Sequence, residues 1–315
     1  MVAAYRFQFR SYRRPFRRSL HTHHGVWTVR EGIIVRLEHG DGGVGWGEVA
    51  PLPGFGSETL DEAIAFCRDC GDTVTDTDID SIPDRLRACQ FGLEMAREQW
   101  VAPRRKPTEE LISAQLLPTG EAALSEFKHN EAGAFKWKIG VSAIDRELAI
   151  FERLLERLPA GATLRLDANG GLTWDEANQW LQACDAAGIE FLEQPLPPRE
   201  FEAMGQLSDR YRTPIALDES VATLSQLQDC YQRGWRGIAV IKAAIAGSPS
   251  RLRQFCHNCA IDTVFSSVFE TKIGRNAALS LASELQRHPY AVGFGTTDWF
   301  TDRDPNWLDK LWKTG

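Results

Sequence analysis

The chain has 315 residues, 43% of them hydrophobic and 25% charged, with a formal net charge of -7. That is long enough for one large barrel plus a smaller domain, and the composition is that of an ordinary soluble globular protein. The acidic balance argues against a general nucleic-acid binder, which needs basic surface to displace counterions, and no apolar run approaches the roughly 20 residues that cross a bilayer.

Residues Met1 to Arg18 are basic but contain no apolar stretch of the kind a secretory signal carries, so the expected compartment is the cytoplasm. From there YRFQF, VWTVREGIIVRLEHG and GVGWGEV alternate apolar with polar residues between glycine-rich turns such as HGDGG, which predicts an antiparallel meander. SETLDEAIAFCRD, with its Ser/Thr cap and early acids, and PDRLRACQFGLEMAREQW predict two helices. Residues 1–108 are therefore expected to form an α+β domain. The seven cysteines are an odd set with no disulfide framework. The pairs Cys67/Cys70 and Cys256/Cys259 sit in helix-like stretches without a glycine turn between them, so they read as semi-buried thiols and not as a zinc site.

From about Leu111 the pattern changes to short apolar strands alternating with amphipathic helices. The strands are LISAQLLP, AFKWKIG, ATLRLDANG, IEFLEQP, TPIALDES, GIAVIKAA and IDTVFSS. Strand–helix units repeating every 25 residues or so predict a parallel sheet buried on both faces. Their number favours a closed barrel over an open doubly wound sheet. The fold class expected is α/β, a modified (β/α)7β barrel over residues 109–289, with residues from about 290 to 315 folding back on the N-terminal domain. No GxGxxG opens the first unit and no GxxxxGK[ST] loop is present, so neither a dinucleotide fold nor a phosphate loop is supported.

Polar residues at the C-terminal ends of barrel strands converge on one mouth. Three successive strands end in Asp167, Glu193 and Asp218, about one unit of the barrel apart. Taken singly each is as easily a loop residue or a helix cap; three in register would repel one another unless a cation sits among them. All-oxygen ligation suits Mg²⁺ better than zinc. Alternation sends Lys136 and Lys138 to one face of their strand, and Lys242 arrives from the sixth strand across the barrel. Buried lysines are rare unless paired. Beside a carboxylate-bound cation such lysines suit removal of a proton next to a carboxylate, the arrangement general to enolase-type sites.

With these residues on one mouth, the sequence resembles the enolase superfamily and its muconate-lactonizing subgroup, on the KxK of FKWKIG, the Asp of LRLDANG, the Glu of FLEQP, the Asp of ALDES and the Lys of VIKAA. Within that subgroup it is similar to the o-succinylbenzoate synthase family in RRPFRRSLHTHHG followed by REG, GWGEVAPLPGFGSETL, CQFGLEMA, VIKAAIAGSPS, SSVFETKIGR and GFGT. The resemblance covers nearly the whole chain and gives the N-terminal domain the part of a cap. It implies Mg²⁺, with Mn²⁺ as the alternative ion, on Asp167, Glu193 and Asp218. Lys138 becomes the acid/base, Lys242 a charge that stabilises the enediolate, and Lys136 a support for Lys138 and a substrate carboxylate. The implied reaction is a dehydration in menaquinone or phylloquinone synthesis, acting on a small dicarboxylate, with no nucleic-acid or membrane partner and the oligomeric state left open.

Ser266 and Ser267 are candidates for substrate binding, with helix capping as the competing role. Arg17 or Arg18 could offset the substrate's negative charge, while the rest of RRPFRR reads as a solvated strand and His21, His23 and His24 as exposed or substrate-side. Two departures from the family pattern touch substrate fit only: no proline follows Lys242, and Gln115 stands where asparagine is common. The nearest rival is an N-succinylamino acid racemase or dipeptide epimerase, in which Lys138 and Lys242 both act as bases. A rival of another class is a non-catalytic metal-binding barrel.

Overall fold

The computed structural model describes residues 3–22, 25–101, 111–125, 133–296, 299–300 and 306–313. Two sheets organise it. The first is antiparallel and four-stranded, in the order β3-β2-β1-β4, from β1 (Ala4–Thr22), β2 (Gly25–His39), β3 (Val44–Val49) and β4 (Thr73–Thr75). Strict alternation along β1 and β2 puts Tyr5, Phe7, Ile33, Val35 and Leu37 into the core.

The helix Arg87–Val101 covers that inner face. It approaches closely because β3 carries glycine where it crosses: a Cβ on Gly45 or Gly47 would stand 1.9 Å from the Ala96 carbonyl oxygen or 1.8 Å from that of Gly92. The start of the helix is capped from outside by the buried Glu58, whose carboxylate accepts the N–H groups of Ala88 (3.1 Å) and Cys89 (2.8 Å).

The second sheet is parallel and seven-stranded, in sequence order: β5 (Gln115–Leu116), β6 (Ala134–Lys138), β7 (Thr163–Asp167), β8 (Phe191–Glu193), β9 (Ile215–Leu217), β10 (Ile238–Ile241) and β11 (Asp262–Phe265). Its edges are joined by the segment 291–294. Val292 pairs with Ser113 on one side and Gly293 with Ser266 on the other, through backbone bonds of 2.7–3.0 Å. The barrel strands thus run past residue 289. Phe300 bridges Phe16 of β1, and Trp312, in the helix Trp307–Lys313, meets Trp46 edge-on at 4.7 Å. This is the α/β barrel with an antiparallel cap that the element pattern predicts. No helix among the described residues is long and apolar enough to cross a membrane.

All seven cysteines are free thiols; in the two CxxC pairs Cys67 and Cys256 are buried and Cys70 and Cys259 half-buried. Gly47→Ala is expected to lower the melting temperature by several degrees. Overpacking costs about 1–3 kcal/mol, and each kcal/mol is worth about 2–4 °C in a chain of this size. An unchanged melting curve would mean that helix and sheet do not meet at Gly47.

Candidate active site

The ends of β6 to β10 and the residues that follow β11 surround a cavity of about 400 Å³, to which the cap contributes Ser19, Trp27, Leu52 and Phe55. Alternation decides what faces it. On β6, Trp137 turns outward to Trp180, leaving Lys136 and Lys138 inside; on β7, Leu164 and Leu166 turn outward and Arg165 and Asp167 inward. In-register pairing sets Lys138 beside Asp167 and Asp167 beside Glu193. The turn after Lys138 is fixed by the buried Glu147, whose carboxylate accepts the N–H groups of Gly140, Val141 and Ser142 at 2.8–2.9 Å.

The structure brings all the charged candidates together. Lys136 Nζ lies 2.8 Å from Asp167 Oδ2 and 2.6 Å from Glu193 Oε1. Lys242 donates to Asp218 Oδ1, and its ammonium stands 4.3 Å from the centre of the Phe55 ring. Among the described residues, Lys138 has no hydrogen bond or ion pair, although it lines the same cavity.

Four carboxylates, Asp167, Glu193, Asp218 and Glu219, crowd together here. Burial, then the neighbouring Asp167 charge, pushes the Glu193 carboxyl up to about 8. Burial and Asp218 push Glu219 up to about 7. Burial opposes the Lys136 ammonium, yet Asp167, Glu193 and Asp218 outweigh it and hold its pKa well above the usual lysine value. Burial disfavours the Asp167 anion too, but the Lys136 charge and hydrogen bond hold it below the usual carboxylate range. The Oε2 atom of Glu219 is buried without a hydrogen-bond partner. As the side chains stand, no three carboxylate, imidazole or thiolate groups among the described residues enclose an ion; Lys136 sits between Asp167 and Glu193, and Lys242 against Asp218. The crowding of buried carboxylate oxygens and the orphaned oxygen of Glu219 fit a hard divalent cation.

Several residues outside the charged set hold it in place. Gln194, fully buried at φ 38°, accepts the N–H groups of Asp218 (2.9 Å) and Ser220 (3.1 Å) and donates to Leu196 and Ser220 (both 2.8 Å). Asn169, at φ 44°, gives its backbone N–H to Asp167 Oδ1 (3.0 Å) and its amide to Glu219 Oε1 (3.0 Å). Such strained backbone concentrates at functional sites. The DxN and EQP motifs contain both residues, but only the fold reveals that they brace one strand end against the next. Arg165, on the cavity floor, is 2% exposed, and its Nη2 has no partner.

The two serines differ. Ser266 Oγ lies against Gly293, where a Cβ would come within 2.7 Å of it. The Ser267 hydroxyl is bonded to Glu270 (2.9 and 3.0 Å) and accepts the Phe269 N–H (2.9 Å), so it shapes its own loop. Arg17 donates to the Phe300 carbonyl (2.7 Å) and does not line the cavity. The side chains of Arg18 and His21, and all of His23 and His24, lie outside the described residues.

Comparison with known proteins agrees with this geometry. Residues 5–100 match the family model described as MenC, N-terminal domain, and residues 120–309 match Enolase C-terminal domain-like. An o-succinylbenzoate synthase from Thermosynechococcus vestitus is 42% identical over 306 residues, covering 93% of both chains. The chain belongs to the o-succinylbenzoate synthase family of the enolase superfamily. A solved synthase from Thermosynechococcus elongatus, complexed with Mg in its active site, is 38% identical, with a TM-score of 0.89 over 98% of this chain and 100% of that one. The L-Ala-D/L-Glu epimerase of Bacillus subtilis is more distant, at 27% identity over 86% of this chain and 81% of its own. Its structure, at 21% identity, 94% and 91% coverage and a TM-score of 0.79, shares the fold.

The SSVFET loop contains a titratable group of its own. Burial, reinforced by Glu48, pushes the Glu270 carboxyl from 4.5 up to about 7. A raised carboxyl stabilises the fold fully below about pH 4.5, and that contribution is lost as pH rises through about 7. Relative to Glu270→Gln, the wild type should lose up to roughly 3 kcal/mol across that window, read as a melting temperature that falls more steeply with pH. Parallel curves for the two proteins would mean that Glu270 does not carry this proton.

Proposed function

We propose that this cavity dehydrates 2-succinyl-6-hydroxy-2,4-cyclohexadiene-1-carboxylate to 2-succinylbenzoate, with Lys138 as the acid/base. The observation that carries this reading is the division of labour among the lysines: Lys136 and Lys242 are held by carboxylates, while Lys138 faces the cavity unbonded. A base must be free to reach the proton it takes.

Asp167, Glu193 and Asp218 would hold the divalent ion, Mg²⁺ first and Mn²⁺ as the alternative. Such an ion supplies positive charge where negative charge grows on the substrate carboxylate. The protein's own part runs through the lysines. Lys138 takes the proton from the ring carbon that bears the carboxylate, and the C–H electron pair moves into the carboxylate as an enediolate. Lys242 faces that charge from the opposite wall, since β10 lies four strands from β6 in a ring of eight. The electrons then return to form the ring double bond as the neighbouring C–O bond breaks, and Lys138 gives its proton to the departing hydroxyl, releasing water. One lysine serves both transfers in a syn elimination, and aromatisation of the ring drives the step.

Lys136, fixed against Asp167 and Glu193, keeps their charge in check and adds a cation toward the substrate's carboxylates. Ser266, which lines the cavity, would donate to the substrate, whereas Ser267 would act through the loop it folds. An epimerase would need Lys242 as a second base, but here that lysine is paired with Asp218 and covered by Phe55. The reaction places the protein in menaquinone or phylloquinone synthesis, and we assign it to the cytoplasm.

Lys138→Ala is expected to lower kcat at least about 10³-fold, within the range of a lost acid/base, while leaving affinity for the product 2-succinylbenzoate within a fewfold of wild type. Removing divalent ions with a chelator should stop turnover, and returning Mg²⁺ should restore it. Loss of the substrate's diene absorbance reports both. Folded, Mg²⁺-loaded protein that leaves the diene untouched would overturn the assignment.

A further inference from the structure

Arg30 of β2 is 5% exposed, and among the described residues no carboxylate pairs with it. Its guanidinium instead donates to four main-chain carbonyls: Nη2 to Ala50 (2.7 Å), Nη1 to Pro51 (2.9 Å) and Glu31 (2.7 Å), and Nε to Val268 (3.0 Å). A buried cation satisfied only by carbonyls is expensive in solvation, so its position needs a reason beyond a charge pair. Those carbonyls supply one. Ala50 and Pro51 lead into the cap wall of the cavity, where Leu52 and Phe55 lie, and Phe55 covers Lys242. Val268 belongs to the barrel wall, between Ser267 and Phe269. One planar, rigid group thus spans the gap between the two walls that face a bound substrate.

The barrel side of the clamp is a strained loop. Phe269 sits at φ 61°, a conformation disfavoured for an aromatic residue, and packs on Phe16 (5.5 Å) and Trp299 (5.9 Å). A second cap residue pins its far end: Glu48 of β3, fully buried, accepts the N–H groups of Thr271 and Gly274 (both 2.9 Å) and the hydroxyl of Tyr12 (2.5 Å). Gly32 leaves room for the Tyr12 ring, since a Cβ there would lie 2.6 Å from its hydroxyl oxygen. The REG, GEV and SSVFET segments therefore meet at one place.

We propose that Arg30 is a positioning residue that sets the width of the substrate cavity, with Glu48 fixing the far end of the same loop. This rests on the reading of the cavity as the 2-succinylbenzoate site. Leu52 and Phe55 on one wall and Val268 and Phe269 on the other line that cavity, so releasing Val268 from Arg30 loosens its fit to the substrate without touching the metal ligands or Lys138.

The test is calorimetric binding of 2-succinylbenzoate to wild type, Arg30→Met, Arg30→Lys and Glu48→Gln, with Mg²⁺ affinity and steady-state kinetics on each. Arg30→Met is expected to raise Kd for the product and KM for the substrate about tenfold or more, with Mg²⁺ affinity within about twofold and kcat changed far less than KM. Arg30→Lys should not rescue it, because one ammonium cannot hold four carbonyls in a fixed plane. If Arg30→Met fails to fold, Glu48→Gln must show the same KM-specific loss. A lower melting temperature with unchanged Kd and KM would reduce Arg30 to a staple and overturn the proposal. Restoration by Arg30→Lys would make it a distant charge and overturn it equally. Wild-type protein that does not bind 2-succinylbenzoate would instead remove the underlying reading of the cavity.

Discussion

The structure depends on four carboxylates buried together at the mouth of a barrel. Asp167, Glu193, Asp218 and Glu219 stand at the ends of three adjacent strands, and among the described residues the cations paired with the first three are Lys136 and Lys242. Proteins do not bury four carboxylates together without a compensating cation or a retained proton. Burial first, and then the neighbouring carboxylates, raise the Glu193 and Glu219 carboxyls. A divalent ion would relieve that repulsion, and the same positive charge is what a proton next to a carboxylate needs if it is to be removed near neutral pH. On the proposed reaction, the stability problem and the catalytic solution would share one set of atoms.

The rest of the molecule holds that cluster in register. Gln194 ties the end of β8 to the end of β9, and Asn169 ties β7 to Glu219. Glu147 closes the turn that follows Lys138. The barrel can be closed around so polar an interior because its outward faces carry the apolar load, as Trp137 and Trp180 do behind the two lysines. The cap closes over the site: Phe55 lies over Lys242, and Arg30 and Glu48 reach across to the Ser266–Thr271 loop.

Much of this was legible in the sequence. The three carboxylates and three lysines are found by counting strand ends, because the period of the barrel places them and alternation turns them inward. Family resemblance then supplied the reaction. What the sequence hid were contacts between residues far apart in the chain. Arg30 reads as one more basic residue in a strand, yet it bonds to Val268, 238 residues away. Glu48 reads as the polar partner in an alternating pattern, yet it is fully buried on a helix start 223 residues on. Ser267 shows the converse: its position beside the cavity suggested a substrate donor, but its hydroxyl is held by Glu270 three residues later. Periodicity tells which way a side chain points, not what it meets there.

On the proposed reading, Asp167, Glu193 and Asp218 share one divalent ion between the two lysine-bearing walls. Titrating metal-free protein with Mn²⁺, and following the free ion's electron paramagnetic resonance signal, tests this sharing most directly. One tight site per chain is expected in the wild type, displaced by Mg²⁺ and lost in Glu193→Gln. A Glu193→Gln protein that binds Mn²⁺ as tightly as the wild type would place the ion elsewhere and contradict it.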